Sequence, residues 1–224
     1  MIRSVLFDTE TTGLDPAQGH RVIEVAALEL ENDLPTGRHF HALLQPDRDV
    51  PEDAVRIHGI TAARLAGKPR FPEVAPALLA FFGEGRLVAH NAPFDFAFVN
   101  AELRLAGLPP LDGARMVDTL ALAKARYPGL PNSLDALCRR FGIDLSERTS
   151  HNALLDCRLL AQVYVELTGG RQRGLSLAAT QAELPAANYA AAGPRTPRRV
   201  VPTEAELAAH AAFIARMKEP VWTG

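Results

Sequence analysis

The stretch VLFDTETTGL, Val5 to Leu14, decides the fold, because a run of large apolar residues in it ends on two carboxylates. The apolar residues are typical of a buried strand, and Asp8 and Glu10 follow them with one residue between. Residues two apart in a strand point to the same face, so we expect the carboxylates to lie side by side if the strand continues that far. They are either two solvated acids at a strand end or a site where a proton or a cation offsets their repulsion.

The order of strand and helix patterns along the chain predicts the layers around this stretch. Strand patterns cover 2–9, 21–30, 38–45, 86–89 and 116–117. Helix patterns cover 51–57, 71–82, 93–106, 119–126, 132–141 and 152–167. Closely spaced strands followed by strands that alternate with helices predict an α/β fold with a mixed sheet flanked by helices.

The last quarter of the chain differs from this core in composition. The core should end near residue 170, and the stretch 182–201 is rich in Ala, Pro and Arg, which predicts a flexible linker. Thr203 and Glu206 then form a capping box ahead of apolar residues at helical spacing. We expect a short amphipathic helix that packs on its own core or docks on another protein.

Composition and charge limit the classes of protein and of partner. No run approaches the roughly 18 apolar residues of a membrane span, and no signal-peptide pattern opens the chain, which favours the cytoplasm. Cys138 and Cys157 lack metal-ligand spacing and are interpreted as buried thiols. Residues 1–170 carry 17 Lys and Arg against 22 Asp and Glu, so a nucleic-acid substrate would need metal or a partner to hold it.

Two further stretches carry candidate functional residues. Asp95 lies in HNAPFDFAFVN, at the start of a predicted helix, where an acid also favours the helix dipole. His151 and Asp156 lie five residues apart in SHNALLDC, about 140° around a helix axis. They converge only if His151 precedes the helix, with Asn152 or Ser150 near the N-cap. His151 is then either a surface residue or a general base, because its usual pKa is near 6.5.

Together these residues form a set of oxygen ligands beside a base. Hard oxygen ligands select Mg²⁺ or Mn²⁺ over zinc. Two such ions about 3.5 to 4 Å apart can stabilise the attacking and leaving oxygens of an in-line phosphoryl displacement. The candidate catalytic residues are Asp8, Glu10, Asp95, His151 and Asp156, of which the four acids are the candidate metal ligands.

The three stretches resemble the motifs of the DEDDh 3'–5' exonucleases in the ribonuclease H-like superfamily. FDTETTGL, HNAPFDFAFVN and HNALLDC occur in the family's order, and a His five residues before the final Asp matches the His subgroup. The sister subgroup has a Tyr four residues before that Asp, where this sequence has Asn152. The resemblance implies a ribonuclease H-like fold and hydrolysis with two ions of Mg²⁺ or Mn²⁺.

Within this family the sequence most resembles the epsilon family of proofreading subunits of bacterial replicative polymerases. RIHGIT at 56–61, the stretch 132–170 and EAELAAH at 204–210 carry the likeness. The resemblance implies that Asp8, Glu10 and Asp156 hold a first metal. It also implies that Asp8 bridges to a second metal, that Asp95 contributes through water, and that His151 deprotonates the attacking water.

The resemblance extends to substrate and partners. It implies a pocket for the 3'-terminal nucleotide of DNA, lined by Thr11, Thr12, Leu14 and His58. Gly13 is expected to supply the dihedral angle of a turn there. QRGLSL at 172–177 resembles the short peptide that binds the sliding clamp, and the last helix would dock on the polymerase catalytic subunit. The partner-binding residues would be Gln172, Leu175, Leu177, Leu207, Phe213 and Ile214.

The sequence thus predicts three parts: an exonuclease domain at 1–170, a clamp-binding-like peptide with a flexible linker at 171–201, and a polymerase-docking helix at 202–224. The expected activity is proofreading, with release of nucleoside 5'-monophosphates from DNA 3' ends. One alternative is a DEDDh exoribonuclease, although a stand-alone ribonuclease has no evident use for the tail. The other is a noncatalytic scaffold, which the complete set of catalytic positions disfavours.

Overall fold

Five strands form one mixed sheet in a computed structural model that describes residues 2–148, 151–169 and 201–218. The strands are β1 Arg3–Thr11, β2 Val22–Glu31, β3 Leu34–Leu43, β4 Arg86–Ala89 and β5 Met116–Asp118, in the order β3-β2-β1-β4-β5. β1 and β2, and β2 and β3, are antiparallel, whereas β1 and β4, and β4 and β5, are parallel. The predicted α/β fold with a mixed sheet is confirmed.

The helices follow the predicted pattern with one addition. They are α1 Glu52–His58, α2 Ala62–Leu65, α3 Phe71–Phe82, α4 Ala92–Leu105, α5 Thr119–Arg126, α6 Leu134–Phe141, α7 Ala153–Leu167 and α8 Glu204–Ile214. Sequence reasoning missed α2, because four residues are too few to display a helical period. Two short 3₁₀ helices cover Pro16–Gln18 and Gly113–Arg115.

β1 is buried on both faces, which makes it a rigid support for the residues at its end. Phe7 packs on one face against Phe82 of α3 and Phe96 of α4, with ring centroids 5.1 and 5.7 Å apart. Leu6 points to the other face and joins the cluster that contains Cys157 of α7. Strand alternation therefore places every second residue of β1 under α7. Cys138 and Cys157 are buried free thiols, as predicted.

The hairpin between β2 and β3 is tighter than the sequence patterns predicted. β3 begins at Leu34 rather than at residue 38, because Asn32 and Asp33 adopt positive φ angles of 50° and 67° and turn the chain in two residues. A two-residue turn with both φ angles positive matches the twist of antiparallel strands, and Asn and Asp tolerate this conformation.

The second unit of the chain is described over residues 201–218, which contain α8. The predicted capping box is present: Thr203 N–H donates to Glu206 Oε2 at 2.7 Å, and Glu206 N–H donates to Thr203 Oγ1 at 3.3 Å. At 100° per residue the large apolar side chains of α8 share one side and alanines cover the other. The helix is therefore less sharply divided into polar and apolar faces than predicted.

The predicted clamp peptide, 172–177, and almost all of the predicted linker lie outside the described residues. Among the described residues, no helix combines the length and the apolar character needed to cross a membrane.

Candidate active site

A cleft of about 790 Å³ opens where β1 ends, and the predicted site residues converge on it. The predicted catalytic residues in its lining are Asp8, Glu10, Asp95, His151 and Asp156. The predicted substrate-binding residues in its lining are Thr11, Thr12, Leu14 and His58. Residues from separate parts of the chain therefore meet in a single concave site, as expected of an active site.

β1 brings the first two carboxylates together under α7. The strand continues to Thr11, so Asp8 and Glu10 lie within it and share the face on which Leu6 packs against α7. Glu10, His151 and Asp156 offer ligand atoms that all lie within 4.8 Å of one another. The expectation that the two carboxylates lie on one face is confirmed.

The N-terminus of α7 brings His151 back over Asp156. Asn152 is the N-cap, and its Oδ1 accepts a hydrogen bond from the Leu155 N–H at 3.0 Å. His151 therefore precedes the helix, with a side chain 51% exposed and its Nδ1 3.7 Å from Asp156 Oδ2. The His151 N–H donates to the Ile57 carbonyl at 3.3 Å and ties this segment to α1. This is the arrangement that the five-residue spacing required.

Asp95 reaches β1 from the opposite side of the sheet. It lies in the first turn of α4, as predicted, and is 2% exposed. Its Oδ1 accepts hydrogen bonds from the Thr9 N–H at 3.0 Å and from the Thr9 hydroxyl at 2.7 Å. Thr9 separates Asp8 from Glu10, so these bonds hold Asp95 beside the pair. Asp95 is accordingly both a first-turn helix residue and a member of the acidic cluster.

The electrostatics of this cluster favour a bound cation. Burial, reinforced by the charges of Asp95 and Glu10, raises the pKa of Asp8 well above its usual range. Burial and the charges of Glu24 and Asp156 raise the pKa of Glu10 to about 8. Burial raises the pKa of Asp95 to about 7, against the hydrogen bonds from Thr9. Carboxylates so placed bind a proton or a cation, and a set rich in oxygen ligands fits Mg²⁺ or Mn²⁺.

Comparison with known proteins identifies the family. The exonuclease model named RNase_T matches residues 5–164. The chain belongs to this exonuclease family. It is 44% identical over 220 residues to the DNA polymerase III subunit epsilon of Rickettsia felis, with 96% of each chain covered, and so belongs to the epsilon family. The predicted 3'–5' exonuclease of that family is confirmed.

Solved structures of exonucleases share the fold. The structure of exonuclease X in complex with 5' overhanging duplex DNA is 28% identical, with a TM-score of 0.60 over 74% of this chain and 91% of that chain. The nuclease domain of 3'hExo, a DEDDh family member bound to rAMP, has a TM-score of 0.64 at 18% identity and the same coverage. This second likeness is one of fold alone, and together with exonuclease X it confirms the predicted ribonuclease H-like fold.

Sequence reasoning missed Arg148, which lines the cleft of this exonuclease three residues before His151. Its Nε and Nη2 donate to the two carboxylate oxygens of Asp156 at 2.6 and 2.7 Å, and its Nη1 donates to Asp135 Oδ1 at 2.6 Å. No periodicity indicates such a residue, because the segment that carries it is irregular.

Glu24 on β2 was missed as well, although a lone acid among the first apolar residues of RVIEVAALEL was an available signal. Its side chain is fully buried, and the residue pairs with Glu10 across the sheet. It accepts hydrogen bonds from the Ala153 N–H and from Asn152 Nδ2, both at 3.2 Å, and contacts His41 Nε2 at 2.7 Å. Glu24 therefore fixes the N-terminus of α7 to β2 through hydrogen bonds.

The residues of the predicted nucleotide pocket differ in how free they are to bind substrate. Leu14 is 83% exposed. His58 is buried, and its Nδ1 accepts from the Ile60 N–H at 3.0 Å, which places the proton of the neutral ring on Nε2. The Thr11 hydroxyl donates to the Gly13 carbonyl at 2.6 Å, and the Thr12 hydroxyl accepts from a backbone N–H at 2.9 Å. The two hydroxyls thus also shape the loop after β1.

The expectation for Gly13 was wrong in its physical reason. Gly13 is not among the residues with positive φ, so it supplies no unusual dihedral angle. A Cβ at this position would instead come within 2.2 Å of the His20 ring. A larger residue at this position would therefore have to displace the His20 ring.

Proposed function

We propose that this exonuclease is the proofreading subunit of a bacterial DNA polymerase III and removes nucleoside 5'-monophosphates from DNA 3' ends with two divalent ions. The observation that carries the proposal is the meeting of four acids and one exposed histidine in a single cleft at the end of a buried strand. The relatives named DNA polymerase III subunit epsilon support the polymerase association, because one of them matches over 96% of both chains.

We assign the roles of the site residues from the family resemblance, and their positions in the cleft support the assignment. Asp8, Glu10 and Asp156 would hold one ion, and Asp8, with Asp95 contributing largely through water, would hold the second. Such ions stabilise the charge on the attacking and leaving oxygens of the phosphodiester. His151 takes the proton of the attacking water, since its imidazole is exposed beside Asp156 at the mouth of the cleft.

The substrate is a frayed single-stranded 3' end of DNA. Leu14 is exposed at the cleft and packs on the terminal base, where stacking or apolar contact is tolerant of base identity. The Nε2–H of His58 and the loop of Thr11 and Thr12 surround the sugar and the terminal phosphate. The acidic body binds nucleic acid weakly alone, which restrains digestion of correctly paired ends.

The tail supplies the attachment to the replication machinery. We assign 1–170 to the exonuclease domain, 171–201 to the clamp-binding peptide and linker, and 202–224 to the polymerase-docking helix. Leu207 and Phe213 of α8 are 54% and 58% exposed, which supports a docking role for the side they share with Ile214. The clamp contact uses Gln172, Leu175 and Leu177. Free buried thiols are typical of the cytoplasm, where we place the protein.

The test is digestion of a 5'-labelled DNA primer with a mismatched 3' end, beside the matched primer and an RNA of the same sequence, with Mg²⁺ or with EDTA. We expect stepwise shortening that EDTA abolishes and that is faster on the mismatched DNA. Preference for the RNA would favour an exoribonuclease, and no cleavage of any strand would favour the scaffold alternative.

A matched pair of variants assigns the activity to the acidic cluster. D8N should lower the exonuclease rate by more than about a hundredfold. Mutation of a residue that only hydrogen-bonds to a metal ligand already lowers metal affinity or activity by about ten- to a hundredfold, and Asp8 is proposed to be a ligand itself. D53N is the control, since Asp53 lines the same cleft but is exposed and pairs with Arg56. Loss of activity in D53N, or near-normal activity in D8N, would contradict the assignment.

A further inference from the structure

We propose that Arg148 is a positioning residue that competes with the divalent ion for Asp156 and, when the ion binds, releases Asp156 and His151 together. The proposal rests on the proposed function, because it assumes that Asp156 is a metal ligand. Arg148 is the one arginine or lysine among the described residues that line the cleft, and its side chain is 10% exposed.

The contacts of Arg148 include both groups that the chemistry needs. Its Nε and Nη2 take the two oxygens of Asp156 at 2.6 and 2.7 Å, which is bidentate pairing. Nη2 also lies 3.2 Å from Nδ1 of His151. A guanidinium has no acceptor, so it must donate to the Nδ1 lone pair. Arg148 therefore donates hydrogen bonds to the proposed metal ligand, Asp156, and to the proposed general base, His151, at the same time.

A divalent ion and this guanidinium disfavour each other. An ion bound to Asp156 needs at least one of the two oxygens that Arg148 contacts, and it places two positive charges beside a third. Asp135 offers the guanidinium an alternative anion, since Nη1 already donates to it at 2.6 Å and its side chain is 37% exposed. Binding of the ion would move Arg148 toward Asp135 and free the base, so that His151 is released only when the metal is bound.

The first test measures the affinity of the full chain for Mn²⁺ without nucleic acid. The electron paramagnetic resonance signal of free Mn²⁺ reports how much of the ion remains unbound. R148K keeps the charge, but a lysine cannot span both oxygens of Asp156 and also reach His151. Competition predicts that R148K binds Mn²⁺ more tightly, by roughly tenfold, the effect expected when a charge-assisted hydrogen bond is lost.

R21K is the matched control. Arg21 makes the same bidentate pairing with Glu102, at 2.8 and 2.7 Å, and does not line the cleft. R21K should leave Mn²⁺ affinity unchanged. Equal affinity of R148K and the wild type, or weaker binding by R148K, would overturn the proposal. If the wild type itself binds no Mn²⁺, the metal assignment of the proposed function fails and the competition fails with it.

The second test uses the wild-type protein and so does not depend on the folding of a variant. The NMR signal of the Arg148 Nε–H should shift as Mg²⁺ is added, because the hydrogen bond to Asp156 is lost. The midpoint of this shift should equal the midpoint of Mg²⁺ binding. The Nε–H resonance of Arg21 serves as the internal reference and should stay in place. An Arg148 resonance that does not move at saturating Mg²⁺ would overturn the proposal.

Discussion

At the scale of single residues, the site depends on Asn152, which ends the loop that carries His151 and begins the helix that carries Asp156. N152A removes the cap on the Leu155 N–H and the contact with Glu24. We expect a loss of about 1 kcal/mol in the free energy of unfolding and a drop in exonuclease rate of roughly tenfold or more, because the base loses its position. Urea denaturation and primer digestion measure the two effects.

D112A is the control for the capping effect. The Asp112 side chain caps a 3₁₀ helix by accepting from the Ala114 N–H at 2.9 Å, and it does not line the cleft. We expect D112A to lose some stability and to keep its exonuclease rate. If N152A digests primer at the wild-type rate, Asn152 has only the role of a helix cap.

Glu10 gives the protein a pH dependence of stability when metal is removed. Its folded pKa of about 8 lies above the unfolded value near 4.5, so the folded state binds the extra proton between these values. The contribution of Glu10 to the free energy of unfolding in EDTA should therefore be largest below about pH 4.5. It should fall by roughly 2 to 4 kcal/mol as the pH rises to 8. Urea denaturation at several pH values measures the slope.

Two comparisons isolate the contribution of Glu10. E10Q cannot ionise, so its stability in EDTA should exceed that of the wild type at pH 8 and vary less with pH. Mg²⁺ should restore the stability of the wild type at pH 8, because the ion replaces the proton as the partner of the carboxylates. An E10Q profile that is parallel to the wild-type profile would show that Glu10 is not the titrating group.

At the scale of elements, β2 and α7 are joined by the buried carboxylate of Glu24. E24A would leave three donors unpaired, from His41, Asn152 and the Ala153 N–H, at a cost of about 3 kcal/mol. We also expect the exonuclease rate per folded molecule to fall, because the N-terminus of α7 carries His151 and Asp156. Thermal denaturation and primer digestion of the folded fraction test this.

Glu29 is the matched control on the same strand. It is 2% exposed and bonds to Arg3, Arg38 and Thr36, farther along β2 from the cleft. E29A should lose stability to a comparable extent and keep its exonuclease rate. An equal loss of rate in both variants would mean that Glu24 has a general structural role only.

The sequence predicted the elements with clear periods and missed the ones that depend on tertiary contacts. β1 and α7 could be predicted because their apolar patterns are long, and the distance from His151 to Asp156 dictated where α7 must begin. Arg148 and Glu24 act through contacts with residues remote in the chain or in an irregular segment, which no local pattern encodes. Gly13 shows the same limit, because the His20 ring that packs against it lies seven residues away.

At the scale of the whole molecule, an acidic exonuclease body is joined in sequence to a basic tail. Residues 171–224 carry 7 Lys and Arg against 4 Asp and Glu. Because the body carries more acidic than basic residues, we expect its own affinity for DNA to be low, and under the proposed function the tail brings it to the primer end. A chain of residues 1–170 should therefore digest short single strands at close to the full-length rate and fail to co-purify with the polymerase catalytic subunit.

Substitutions in α8 test the docking role in the full-length chain. L207S with I214S changes the side that carries the large apolar residues, and A208S with A212S changes the alanine side of the same helix. Since Leu207 is 54% exposed, the substitutions should not disturb a packed core. We expect the first pair to weaken binding to the polymerase subunit by about tenfold or more, as for loss of apolar anchors, and the second pair to have little effect. Equal binding by both pairs, measured by surface plasmon resonance, would place the contact elsewhere in the tail.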